Sequence, residues 1–140
     1  MILCLDTNTV VQALARHHPF NPILDTWVAG HLTWAVSTPI LLEYEEVLTR
    51  LSGPARWRKL ARLMDLAELT SGNLQRVTPS FHFQVVTADA DDNIFTDCAI
   101  TAGADFVITD DCHFAPLADA GYKPQPISPL EFITRFGLMQ

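Results

Sequence analysis

Two short apolar runs pass without a spacer into aspartate: Ile2–Leu5 into Asp6, and Phe106–Thr109 into Asp110 and Asp111. Runs this short, bounded by turn residues, read as strands buried on both faces. Helical periodicity separates them. Thr7–Arg16 carries Val10, Val11, Leu14 and Ala15 at helical spacing, and Asn21–Ala29 is a second helix, with Pro22 in its first turn and Gly30 as its stop. Leu32–Val36 is a strand. It is followed by a helix opened by Ser37 or Thr38 and Pro39, whose apolar set is Leu41, Leu42, Val47, Leu48 and Leu51. A helix over Pro54–Leu69, a strand over Leu74–Thr78 and a helix opening at Asp92 and ending near Gly103 come next. After the second acid-ended strand, the pattern predicts a short helix over His113–Ala120, a strand stub at Pro126–Ile127, and a last helix capped by Ser128-Pro129 and running to Phe136.

Strands alternating with helices predict βαβ units, a mostly parallel sheet and an α/β fold. Ligands of such sheets bind beyond the carboxyl ends of the strands. Asp6, Asp110 and Asp111 then share one edge of the sheet, which gives the two charged endings a common destination. No linker, repeat or low-complexity tract divides the chain, and its 140 residues suit one domain spanning 1–140. No apolar run reaches the ~18 residues of a membrane span, and the start lacks a basic leader, so the expected location is cytoplasmic.

Charged residues make up only 18% of the chain, below the usual ~25%, so a cluster of carboxylates carries information. The net charge of −7 argues against broad adhesion to nucleic acid or anionic membrane, but not against an acidic, cation-binding enzyme centre. Two further acids suit the same edge: Asp92, at the start of its helix, and Glu43, in the early turns of the Pro39 helix. Clustered carboxylates repel one another in a low-dielectric crevice. Hard dications such as Mg²⁺ and Mn²⁺ relieve that repulsion, keep bound waters, and serve phosphodiester hydrolysis. Thr7, Asn8 and Thr109 offer short polar groups to orient the acids. Each acid also has an ordinary use: Asp6 as a turn residue, Asp92 as a helix cap, Glu43 as a solvated side chain. From spacing alone, both readings stay open.

Order and wording add a resemblance. The segments LCLDTNTVVQAL, TPILLEYEEVL, DADDNIFTDCAITAGADFVITDD and PISPLEFI, in that order and over nearly the whole chain, resemble the PIN domain, and within it the VapC-like toxin components of bacterial toxin–antitoxin pairs. The resemblance implies a three-layer α/β/α fold with a five-stranded parallel sheet. It implies an Mg²⁺- or Mn²⁺-dependent ribonuclease, usually a homodimer, usually restrained by a cognate antitoxin. By motif position the acids are Asp6, Glu43, Asp92 and Asp111, with Asn8 and Thr109 in support. The Thr-x-Asp pattern selects Asp111, but the middle position here is Asp110 where Gly or Arg is commoner, so Asp110 stands as a secondary ligand. Asp97 is a second such candidate, able to reach the site only if Asp92 sits off the helix as its cap. The alternative is a PIN-like module that binds RNA or protein with little catalysis.

Outside the acid set, Arg56, Arg58, Lys59 and Arg62 gather around Trp57. They suit an RNA backbone or an antitoxin, or simply a solvated helix face with Trp57 packed inward. No CxxC or related spacing joins Cys4, Cys98, Cys112 and His113 into a zinc pattern or a disulfide framework; Cys98 reads as helix packing. Gly-rich phosphate loops and Ser or Cys nucleophile arrangements are absent as well.

Overall fold

The computed structural model describes residues 1–80, 83, 85, 86, 93–119 and 121–138. The strands are β1 (Ile2–Leu5), β2 (Thr33–Val36), β3 (Leu74–Arg76), β4 (Phe106–Ile108) and β5 (Gln125–Ile127). The helices are α1 (Thr7–Ala13), α2 (Asn21–Val28), α3 (Thr38–Ser52), α4 (Pro54–Thr70), α5 (Asn93–Ala102), α6 (Ala115–Asp119) and α7 (Pro129–Phe136). All strand pairs are parallel and the order is β3-β2-β1-β4-β5. The chain thus steps outward from β1 to β3, then crosses back and steps outward the other way through β4 and β5. Right-handed connections put the helices of these two halves on opposite faces, giving the α/β/α sandwich. The change of direction lies between β1 and β4, where open α/β sheets form their crevice.

Local chemistry explains where the elements stop. α1 ends at Ala13, three residues before the periodicity does, because the Asn21 side-chain amide takes the Ala13 carbonyl at 2.8 Å and turns the chain toward α2. Gly53, at φ 84°, breaks the α3–α4 pair apart and Pro54 restarts it. Ser128 caps α7 by accepting the Glu131 N–H at 3.1 Å. The segment expected as a helix from His113 begins instead as a 3₁₀ turn over Cys112–Phe114 before α6.

α3 corrects the expected apolar face. Its buried stripe is Ile40, Tyr44 and Leu48, while Leu42 and Leu51 are exposed. Tyr44 decides the rotation: its ring sits between Trp34 of β2 and Phe95 of α5, and its hydroxyl donates to the Leu5 carbonyl at the end of β1. A second aromatic group, Phe106, Phe132 and Phe136, fastens α7 to β4. Among the described residues, no helix is long and apolar enough to cross a membrane.

Candidate metal centre at the strand ends

Asp6 ends β1 and caps α1 in one residue. Its extended backbone (φ −70°, ψ 165°) lets one carboxylate oxygen accept the Thr9 N–H at 2.8 Å. The other oxygen accepts from the Thr109 hydroxyl across the β1–β4 junction. Thr109 uses its lone pair as well, accepting the Asp111 N–H at 2.9 Å. That bond sets the course of the chain leaving β4, and Asp111 then caps the 3₁₀ turn by accepting the His113 N–H at 2.9 Å. The Thr9 hydroxyl and the Asp6 N–H each donate to the Ile108 carbonyl at 3.2 Å, so with the Thr109–Asp6 bond the two acid-bearing strand ends are tied three ways.

Glu43 joins them from α3. Residue Thr7, next to Asp6, donates its hydroxyl to a Glu43 carboxylate oxygen. The inward rotation imposed by Tyr44 brings its neighbour Glu43 to the β1 end. Asp6 and Asp111 stand near one another at the crevice predicted from the strand pattern, with Glu43 linked to the β1 end through Thr7. Asp6 is buried and the other two half-buried, and among the described residues the three do not bring their ligand atoms all within 4.8 Å of one another. Burial pushes the Asp6 carboxyl above its usual range; hydrogen bonds from Thr109 and Thr9 pull it back, and the Asp111 charge pushes it up again. The donors to Asp6 are a hydroxyl and a backbone amide, neither of them cationic. Carboxylate oxygens of this kind are the donors that suit a hard dication.

The remaining predicted residues fall as follows. Asp110 is exposed beside Asp111 and makes no bond to Thr109 among those described, whereas Asp111 does. Asn8 is exposed; the support for Asp6 comes from Thr9 and Thr109. Asp97 is buried on α5, where it accepts the Phe83 N–H at 2.9 Å and borders a small cavity of about 150 Å³ with Ser37, Pro39 and Ile94. Asp92 lies outside the described residues. Its neighbour Asn93 bonds both the N–H and the carbonyl of Val86, at 2.8 and 2.9 Å, which fastens the start of α5. Arg56, Arg58, Lys59 and Arg62 are all exposed on α4, while Trp57 packs against the core. Arg56 and Lys59 line a wide groove of about 900 Å³ that also receives Arg16 and Asp25.

A PIN-domain family model matches residues 3–113, which takes in β1 through the turn after β4 and so every acid of the candidate centre. The chain belongs to the PIN-domain family. Among solved structures, this PIN domain is similar to VapBC2 from Rickettsia felis bound to a promoter DNA fragment, with a TM-score of 0.58 and 16% identity over 91% of this chain and 98% of that one. It is also similar to FitAcB from Neisseria gonorrhoeae, with a TM-score of 0.56 and 18% identity over 93% and 99% of the two chains. At such identities the likeness is one of fold. No curated protein sequence matches the chain at a significant level.

Thr9 and Tyr44 were not singled out from sequence. Thr9 had a readable signal, since it stands three residues after the cap Asp6, where a capping aspartate receives its N–H. Tyr44 had none, because its role rests on a contact with a strand 39 residues away.

Proposed function

We propose that this PIN-domain chain is a metal-dependent endoribonuclease and the toxin of a type II toxin–antitoxin pair. The observation that carries the reading is Asp6: a buried carboxylate held by neutral donors, raised in proton affinity, and set beside Asp111 with Glu43 tethered through Thr7. Such a group is costly unless a cation is meant to meet it. Asp6, Glu43 and Asp111, joined by Asp92 through the family motif, would hold Mg²⁺ or Mn²⁺, which when bound supplies an activated water and neutralises charge on a phosphodiester.

The chain's own residues do the positioning. Thr109 and Thr9 fix both oxygens of Asp6, so its orientation is set before any ligand arrives. Thr7 holds Glu43 in place. No side-chain nucleophile is required, because water attacks. The VapC-like wording of the sequence motifs supports an antitoxin as partner and a homodimer as the working form, and the likeness to VapBC2 agrees with the first of these. Exposed cations on α4, with Arg56 and Lys59 in the adjoining groove, suit RNA phosphates.

The test is cleavage of mixed RNA by purified protein with Mn²⁺, with EDTA, and with Asp6→Asn and Asp92→Asn, each variant checked for folding by circular dichroism. Cleavage that needs Mn²⁺ and is lost in both variants supports the reading. Cleavage that survives Asp6→Asn removes Asp6 from the centre. RNA binding without cleavage under any condition makes the chain a binding module.

A further inference from the structure

The turn after β4 carries a second set of donors. Asp111, Cys112 and His113 are consecutive, and their carboxylate oxygen, Sγ and imidazole nitrogen lie within 4.8 Å of one another. The 3₁₀ turn is responsible. Asp111 accepts the His113 N–H at 2.9 Å, which folds residue 113 back over 111 and brings Nδ1 to 3.4 Å from the same carboxylate oxygen. Phe114, fully buried, anchors the far end of the turn in the core, and Cys112 stands exposed between the two. Cys98 is buried on α5 and takes no part.

We infer that this turn is a binding site for a thiophilic dication, Zn²⁺ being the best match, and that it competes with the nuclease centre for Asp111. Thiolate with imidazole and one carboxylate is a borderline-soft donor set, which Mg²⁺ and Mn²⁺ decline and Zn²⁺ accepts. Three protein donors leave one tetrahedral position open to water. Zn²⁺ held at the turn takes up one Asp111 oxygen and part of the carboxylate's charge, and so weakens what Asp111 offers to the dication centre at the strand ends. The site itself is independent of the proposed activity; the competition rests on that reading.

The test separates the two. Reduced full-length protein is titrated with Co²⁺ as a spectroscopic probe, followed by displacement with Zn²⁺. One equivalent giving a thiolate-to-cobalt absorption band is the expected result, with the band lost and Zn²⁺ affinity weakened at least roughly tenfold in Cys112→Ser. A band that is missing, or that persists in Cys112→Ser and so belongs to Cys4 or Cys98, overturns the site. In the second arm, Zn²⁺ is added to Mn²⁺-supported RNA cleavage, each protein being scored against its own uninhibited rate. Half-inhibition in Cys112→Ser should need at least tenfold more Zn²⁺. Equal inhibition of both proteins, or none of either, overturns the competition. A chain that cleaves no RNA but passes the cobalt arm keeps the site and loses the proposed function.

Discussion

The two edges of the sheet treat an aspartate in opposite ways. At the carboxyl edge, Asp6 is buried, held by neutral donors, and raised in proton affinity by that burial. At the amino edge, Asp105 sits just before β4. It accepts the Ile2 N–H at 2.9 Å and meets Lys123 at 2.6 Å, and the Lys123 partner holds its carboxyl below the usual range. Both residues join β1 to β4. Asp105 finds its countercharge within the chain and serves structure alone. Asp6 is held buried without such a countercharge among its hydrogen-bond donors, which on the proposed reading is the place a cation would take.

The largest test of that contrast is thermal. Mn²⁺ at a hundredfold excess over its dissociation constant should stabilise the protein by about 2.7 kcal/mol, read as a rise in Tm. Asp6→Asn should abolish the rise, whereas Asp105→Asn should leave it intact. A rise that survives Asp6→Asn would place the cation elsewhere. Next in size, Thr109→Val removes the hydroxyl that orients Asp6 and should weaken Mn²⁺ binding by about 10–100-fold, measured by calorimetry. Its effect on binding should exceed that of Asn8→Ala, because Asn8 is exposed and Thr109 touches the acid. Asp105→Ala, at the other edge, leaves the Ile2 N–H without its acceptor and should lower stability by roughly 1 kcal/mol in urea unfolding, with Mn²⁺ affinity unchanged. A loss of Mn²⁺ affinity there would mean that the two edges are coupled.

The smallest effect is the most diagnostic. Asp6 binds its proton more tightly when folded, so its contribution favours the metal-free protein at low pH and is lost as pH climbs from the ordinary carboxylate range through the raised value. Asp105 binds its proton less tightly when folded. Its contribution is present above the ordinary range and is lost as pH falls through the lowered value. Stability of the metal-free protein against pH should therefore lose its Asp6 limb in Asp6→Asn and its Asp105 limb in Asp105→Asn. Saturating Mn²⁺ should flatten the first limb only.

Much of this was legible before any coordinates. The alternation of apolar runs and helical periods yields all five strands in their observed places, and two of them end on the acids that meet. The chain could not announce its through-space partners. Leu42 and Leu51 look like core residues by composition, yet they are exposed, because Tyr44 turns α3 to reach the Leu5 carbonyl. α1 looks longer than it is, because Asn21 intercepts its last carbonyl from the following segment. Asp110 and Asp111 are adjacent and chemically alike. The Thr109 hydroxyl, engaged with Asp6 on one side and the Asp111 N–H on the other, and the His113 N–H that Asp111 accepts distinguish them.

β1 is the central strand of the sheet, and its partner β4 lies far along the sequence from it. Asp6 meets the Thr109 hydroxyl across a sequence separation of 103 residues. On a ribosome adding ~5–20 residues per second, that gap corresponds to several seconds in which one carboxylate has been synthesised and the crevice does not yet exist. A nascent chain thus has no assembled carboxylate cluster at the β1–β4 junction until β4 has emerged. The order of strands in the sheet keeps the two acids apart until β4 has been made.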